Sequence, residues 1–277
     1  MRNVARLLAA LSVALIMILP AAGMARADGS ALWEMLRLDE LAAIMAEEGQ
    51  AYGDDLAEQL FEGGGGPSWD AFVAEQYDPE RLIRQIRPMF ASALDAAGSD
   101  DLEAFYGSDL GQRIVENELE ARVAFLDEEV EEAAYEMADA QASADPERSA
   151  LIEEFIEVND LVEANVAAAL TYSYAFNLGL VDGEAFEGSM TAADALAETW
   201  TQEDAIRADN RRWLVAQLSM AFTPLSDEEI REYIEISRSP QGQALNTAFF
   251  TAFEPALTDI ARALGEGVAR FMAGRDI

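Results

Sequence analysis

The side chains best suited to chemistry in this chain are carboxylates, 53 of them against 18 basic residues. A buried carboxyl can act as a general acid when desolvation raises its pKa, and two carboxyls flanking a glycosidic bond can cleave it. Clustered carboxylates can also hold a hard cation such as Ca²⁺. The densest acidic run is Asp127, Glu128, Glu129, Glu131 and Glu132. It lies beside an apolar stripe at helical spacing, so it reads as a solvated helix face. No Glu-Ser followed by an aromatic, Gly-rich stretch marks a glycan-cleaving site, and no acidic loop has EF-hand spacing.

The missing residues exclude more. Every basic residue is Arg, and the chain has no Lys, His or Cys. Without His there is no serine or cysteine triad of the usual kind. Without His or Cys there is no ordinary zinc, copper or iron site, and the carboxylate di-iron pattern lacks its His. Without Lys there is no Schiff base, and without Cys no disulfide. No catalytic, cofactor-binding or metal-ligating residue is therefore assigned, and no cofactor is expected.

Carboxylates acquire chemistry only when elements position them, and the elements here are helical. Val115, Leu119, Val123, Leu126, Val130 and Met137 recur as one helix face, as do Leu245, Phe249, Phe253, Leu257, Ile260 and Leu264. Pro255 lies inside the second stripe and predicts a kink. Asp78-Pro79, Asp145-Pro146 and Ser239-Pro240 each place a capping residue before a Pro that suits the first helical position. Ser99-Asp100 and Ser226-Asp227 mark two further starts, and breaks fall at Gly63–Gly66, Gly98 and Gly183. The Gly63–Gly66 run has no following Lys and reads as a linker, not a phosphate loop. Ala164 to Val181 carries no charge, yet its Asn, Thr, Ser and Tyr residues suit a central buried helix better than a membrane span. Its aromatic members Tyr172, Tyr174 and Phe176 are the candidates to line a pocket.

Residues 1–27 read as a cleavable signal peptide: basic Arg2 and Arg6, an apolar run from Leu7 to Leu19, helix-breaking Pro20 and Gly23, and Ala25-Arg26-Ala27 as the cleavage site. The expected mature chain begins at Asp28 and carries 15 Arg against all 53 acids, a net charge of −38. Such a charge repels nucleic acid and anionic lipid, and suits a solvated surface in a salty medium. No stable membrane insertion is expected after cleavage.

The chain also repeats itself. Phe105-Tyr106-Gly107-Ser108-Asp109-Leu110-Gly111-Gln112 matches Ile236-Ser237-Arg238-Ser239-Pro240-Gln241-Gly242-Gln243. Upstream, the segment Leu36 to Leu41 matches Ile156 to Leu161. In the S-x-x-G-Q corner, Ser caps a helix start, Gly admits a neighbouring backbone, and Gln bonds to exposed backbone at the elbow. The ligand-binding alternative would use Gln112, Gln243 and Arg238.

Tyr77-Asp78-Pro79-Glu80, Leu82, Ser99-Asp100-Asp101-Leu102 and Phe105-Tyr106-x-Ser108-x-x-Gly111-Gln112 carry a family resemblance. The segment from Phe72 through Val130 resembles the bacterial secreted family known as domain of unknown function 2059. Asp109 stands where that family's corner usually has Pro. The second copy, Ser226 to Leu257, keeps Ser239-Pro240-x-Gly242-Gln243 but lacks the Phe-Tyr pair. The resemblance implies a helical exported domain and supplies no catalytic residues.

The expectation is an all-α, bundle-like fold: signal peptide 1–27, first helical repeat 28–145, second helical repeat 146–277. The expected function is a non-enzymatic periplasmic or secreted module that binds a protein, peptide or apolar ligand. The alternatives are a carboxylate-only, glycan-cleaving enzyme and a weak calcium binder.

Overall fold

The computed structural model describes residues 30–94, 99–185 and 190–274. The expected signal peptide and Gly98 lie outside them. Among the described residues the fold is all-α. The helices are α1 (Ser30–Met35), α2 (Leu38–Leu60), α3 (Gly66–Gln76), α4 (Pro79–Leu94), α5 (Asp100–Tyr106), α6 (Asp109–Ala124) and α7 (Glu128–Ala144). They continue with α8 (Pro146–Val158), α9 (Leu161–Asp182), α10 (Ala192–Trp200), α11 (Glu203–Phe222), α12 (Asp227–Arg238) and α13 (Pro240–Met272).

Local signals explain most of the boundaries. Asp78 accepts from the Arg81 N–H at 2.7 Å, and Asp145 from the Arg148 N–H at 3.1 Å. Ser226 and Glu229 cap α12 reciprocally. The Ser226 N–H and Arg113 hold the Glu229 carboxyl well down, at about 2. Ser99 departs from the expected cap: its hydroxyl donates to Glu103 at 2.6 Å and takes no helical N–H. Gly63 and Gly64 between α2 and α3, and Gly66 at the start of α3, adopt positive φ, conformations that disfavour residues with a Cβ.

The stripe from Val115 to Met137 is not one helix. The chain turns at Phe125 to Asp127, where Asp127 caps α7, and Val123 and Met137 are left exposed. A continuous 3.6-residue rhythm can cross a tight turn, so periodicity alone missed the break. Pro255 lies inside α13, which continues to Met272.

Helix α9 is a central element and packs most extensively on α13. Glycines permit the approach. A Cβ at Gly265 would lie 2.1 Å from the Phe176 carbonyl oxygen, and one at Gly179 2.2 Å from that of Arg262. The two backbones therefore touch where they cross.

Six helices precede α7 and six follow it, the runs α1–α6 and α8–α13. The fourth helix of each run, α4 or α11, packs on the sixth helix of the other run, α13 or α6. One apolar cluster reaches from Leu32 to Val268 across both runs. The two corners share their hydrogen bonds. Ser108 and Ser239 each donate to the carbonyl three residues back at 2.6 Å and accept from Gly111 and Gly242. Gln112 and Gln243 donate to the Tyr106 and Ser237 carbonyls. Arg37 and Asp160, both left-handed, are the residues that precede α2 and α9. Leu38 and Leu161 are the first residues of those helices.

Candidate functional site

Two places combine shape with chemistry. The first is an open groove of about 400 Å³ between α9, α10 and the start of α11. Its floor is Val166, Ala167, Leu170 and Tyr174, one face of α9. Helix α10 forms the wall. The buried residues of this short helix are Ala195 and Thr199, small side chains that let it sit close to α9. Leu196 and Trp200, four residues apart on one side, stand over the groove at 44% and 58% exposure. Arg207 closes one end through ion pairs with Glu163 and, at 3.0 Å, Glu203.

Of the three aromatic candidates, Tyr174 lines this groove, whereas Tyr172 and Phe176 are buried in the core. Leu196 and Trp200 were missed by the sequence reading. Their signal was present as two large apolar residues at i and i+4 in a helix whose inner face holds only small ones.

The second place is a small chamber of about 60 Å³ where the two corners meet. Glu118 of α6, 3% exposed, lies on it with Tyr106 of α5 and Tyr233 of α12. Burial pushes the Glu118 carboxyl well above its usual range, opposed only in part by a hydrogen bond with Tyr233. Burial and the neighbouring Glu118 likewise raise both phenols. Phe105 stacks on Tyr233 with ring centroids 5.8 Å apart. Glu118 was also missed, although it shares a helix face with Ile114, Val115 and Ala121, where a charge is out of place.

The remaining sequence candidates are occupied elsewhere. Gln243 donates to the Val158 and Ser237 carbonyls, and Gln112 to that of Tyr106. Arg238 pairs with Glu154 at 2.6 Å and with Glu235. Asp127 caps α7, and Glu131 accepts from the Tyr135 hydroxyl. Among the described residues no three acidic side chains converge to hold a metal ion, and no helix is long and apolar enough to cross a membrane.

Residues 80–139 match a family described as an uncharacterized protein conserved in bacteria, DUF2059. The match runs from the start of α4 into α7, through the first corner and Glu118. No curated protein and no solved structure matches the chain.

Proposed function

We propose that the chain is an exported, non-enzymatic helical module that binds an apolar ligand or peptide segment in the groove of α9, α10 and α11. The observation that carries this reading is the pair Leu196 and Trp200, held exposed above an apolar floor of ligand-sized volume. Two glutamates and one arginine rim the groove, so a neutral or cationic ligand suits it better than an anion. The signal-peptide pattern of residues 1–27 supports delivery outside the cytoplasm.

The test uses N-phenyl-1-naphthylamine, a neutral apolar dye. Its emission should rise saturably with the mature protein, and binding should weaken about tenfold or more in Trp200→Ala. Equal binding by Trp200→Ala and Leu196→Ser would overturn the assignment.

A glycan-cleaving reading has one observation in its favour, the enclosed Glu118 with its raised pKa. Its chamber is too small for that chemistry. A cavity of about 150 Å³ is filled by benzene, and a pyranose ring is larger. Activity on polysaccharide lost in Glu118→Gln would reverse this preference.

A further inference from the structure

On the reading that the groove of α9, α10 and α11 holds a ligand, its rim and its aromatic rings narrow the ligand's class. The floor follows one face of α9 from Glu163 through Val166, Ala167 and Leu170 to Tyr174. At helical rise that face spans roughly 16 Å. Its two ends differ. The charge lies at the Glu163 end, where Arg207 of α11 meets both Glu163 and Glu203. The rest of the lining is uncharged, apolar side chains together with Thr171, Tyr174, Thr199 and Trp200. The groove is therefore amphiphilic along its length, and an amphiphile suits it.

Two carboxylates against one guanidinium leave the charged end net negative, in a chain whose overall charge is strongly negative. A cationic head is thus favoured over a neutral or anionic one. Hydrogen bonding then selects the kind of cation. Arg207 already donates to both carboxylates. A primary ammonium has three N–H donors to place and would compete with Arg207 for those oxygens. A quaternary ammonium has no donor to satisfy; a negative field and an aromatic face are what hold it. Trp200, 58% exposed and three residues before Glu203, presents such a ring in the groove, and Tyr174 adds a second. We propose that the groove binds a single-chain amphiphile with a quaternary ammonium head, the head at Trp200 and the carboxylate rim, the chain along the α9 floor.

Octyltrimethylammonium, 1-octanol and octyl sulfate share one chain and differ in the head, so they are the probes. Each is titrated, below any micelle formation, into ¹⁵N-labelled mature protein. The Trp200 indole signal should shift saturably, with the cation binding about threefold or more tighter than the alcohol and the sulfate weakest. Glu163→Gln combined with Glu203→Gln leaves Arg207 as the rim's charge and should reverse the order of cation and sulfate. Trp200→Leu keeps an apolar contact without the ring; followed through the Leu196 methyl signals, it should cut the cation's advantage over the alcohol about threefold. Thermal unfolding confirms that each variant is folded; if the double variant is not, Trp200→Leu still decides. An alcohol that binds at Trp200 as tightly as the cation would overturn the cationic class and leave the groove assignment standing. Equal movement of all four indoles with the cation alone would mark general attraction to an acidic surface and overturn the class as well. A Trp200 signal that none of the probes moves would overturn both the class and the groove.

Discussion

Replacing Glu118 by Gln should make the protein more stable at neutral pH, and the gain should grow with pH. In the unfolded chain this carboxyl loses its proton above its ordinary value of 4.5. In the folded protein burial holds the proton on to a much higher pH. A folded pKa raised in this way makes the side chain's contribution most favourable below 4.5, and that contribution is lost as pH rises toward the folded value. Each pH unit inside that window costs about 1.4 kcal/mol. Gln has nearly the same shape and can still accept from Tyr233, but it does not titrate. For a domain of this size about 1 kcal/mol moves Tm by roughly 2–4 °C. The Tm of Glu118→Gln minus that of the parent should therefore widen by roughly 3–5 °C per pH unit above 4.5. Tyr106 and Tyr233 do not confuse the comparison, because burial raises both further above 10. Scanning calorimetry of both proteins in half-unit steps from pH 4 to 8 measures the difference. A gap that stays constant across that range would refute a protonated, buried Glu118.

Other perturbations test other parts of the fold. Gly265→Ala puts a methyl against the Phe176 carbonyl where α9 and α13 cross, and should cost about 1–3 kcal/mol or more in chemical unfolding. Arg122, 1% exposed, holds Glu48 through two bonds of 2.6 and 2.8 Å; Arg122→Met should cost about 3–5 kcal/mol in urea unfolding by stranding Glu48, and Arg122→Met with Glu48→Leu should recover part of it. Ser239→Ala removes the cap of the second corner and should cost about 1 kcal/mol, with Ser108→Ala costing a similar amount at the first. Tm of the mature protein should rise from low to molar NaCl, because 53 acids face 15 arginines and self-repulsion is screened over shorter distances as salt increases; millimolar Ca²⁺ at matched ionic strength should add no saturable shift.

Much of the scaffold was legible because its signals are local. Asp78, Asp145, Ser226 and Ser239 announce helix starts through hydrogen bonds made within three residues, and each makes the bond expected of it. The S-x-x-G-Q corners were readable for the same reason, down to the glutamines bonding backbone. Long-range features were harder. Nothing local tells that α4 lies on α13, or that α6 and α12 bring Glu118 and Tyr233 together. The turn at Phe125 was hidden because the apolar rhythm passes through it unbroken. The groove depends on α10 meeting α9 through Ala195 and Thr199, and small residues leave a weak trace in a hydrophobic pattern. Glu118 did leave a trace, as a charge at an apolar position, but the many surrounding acids masked it.

The groove itself is tested most directly through the four tryptophan indoles. Trp33 and Trp69 are fully buried, Trp213 is buried, and Trp200 stands exposed over the groove. In ¹⁵N-labelled mature protein each indole N–H gives its own signal. Titration with N-phenyl-1-naphthylamine should shift the Trp200 signal saturably while those of Trp33 and Trp69 stay in place. A Trp200 signal that does not move, or four signals that move together, would contradict binding at the groove.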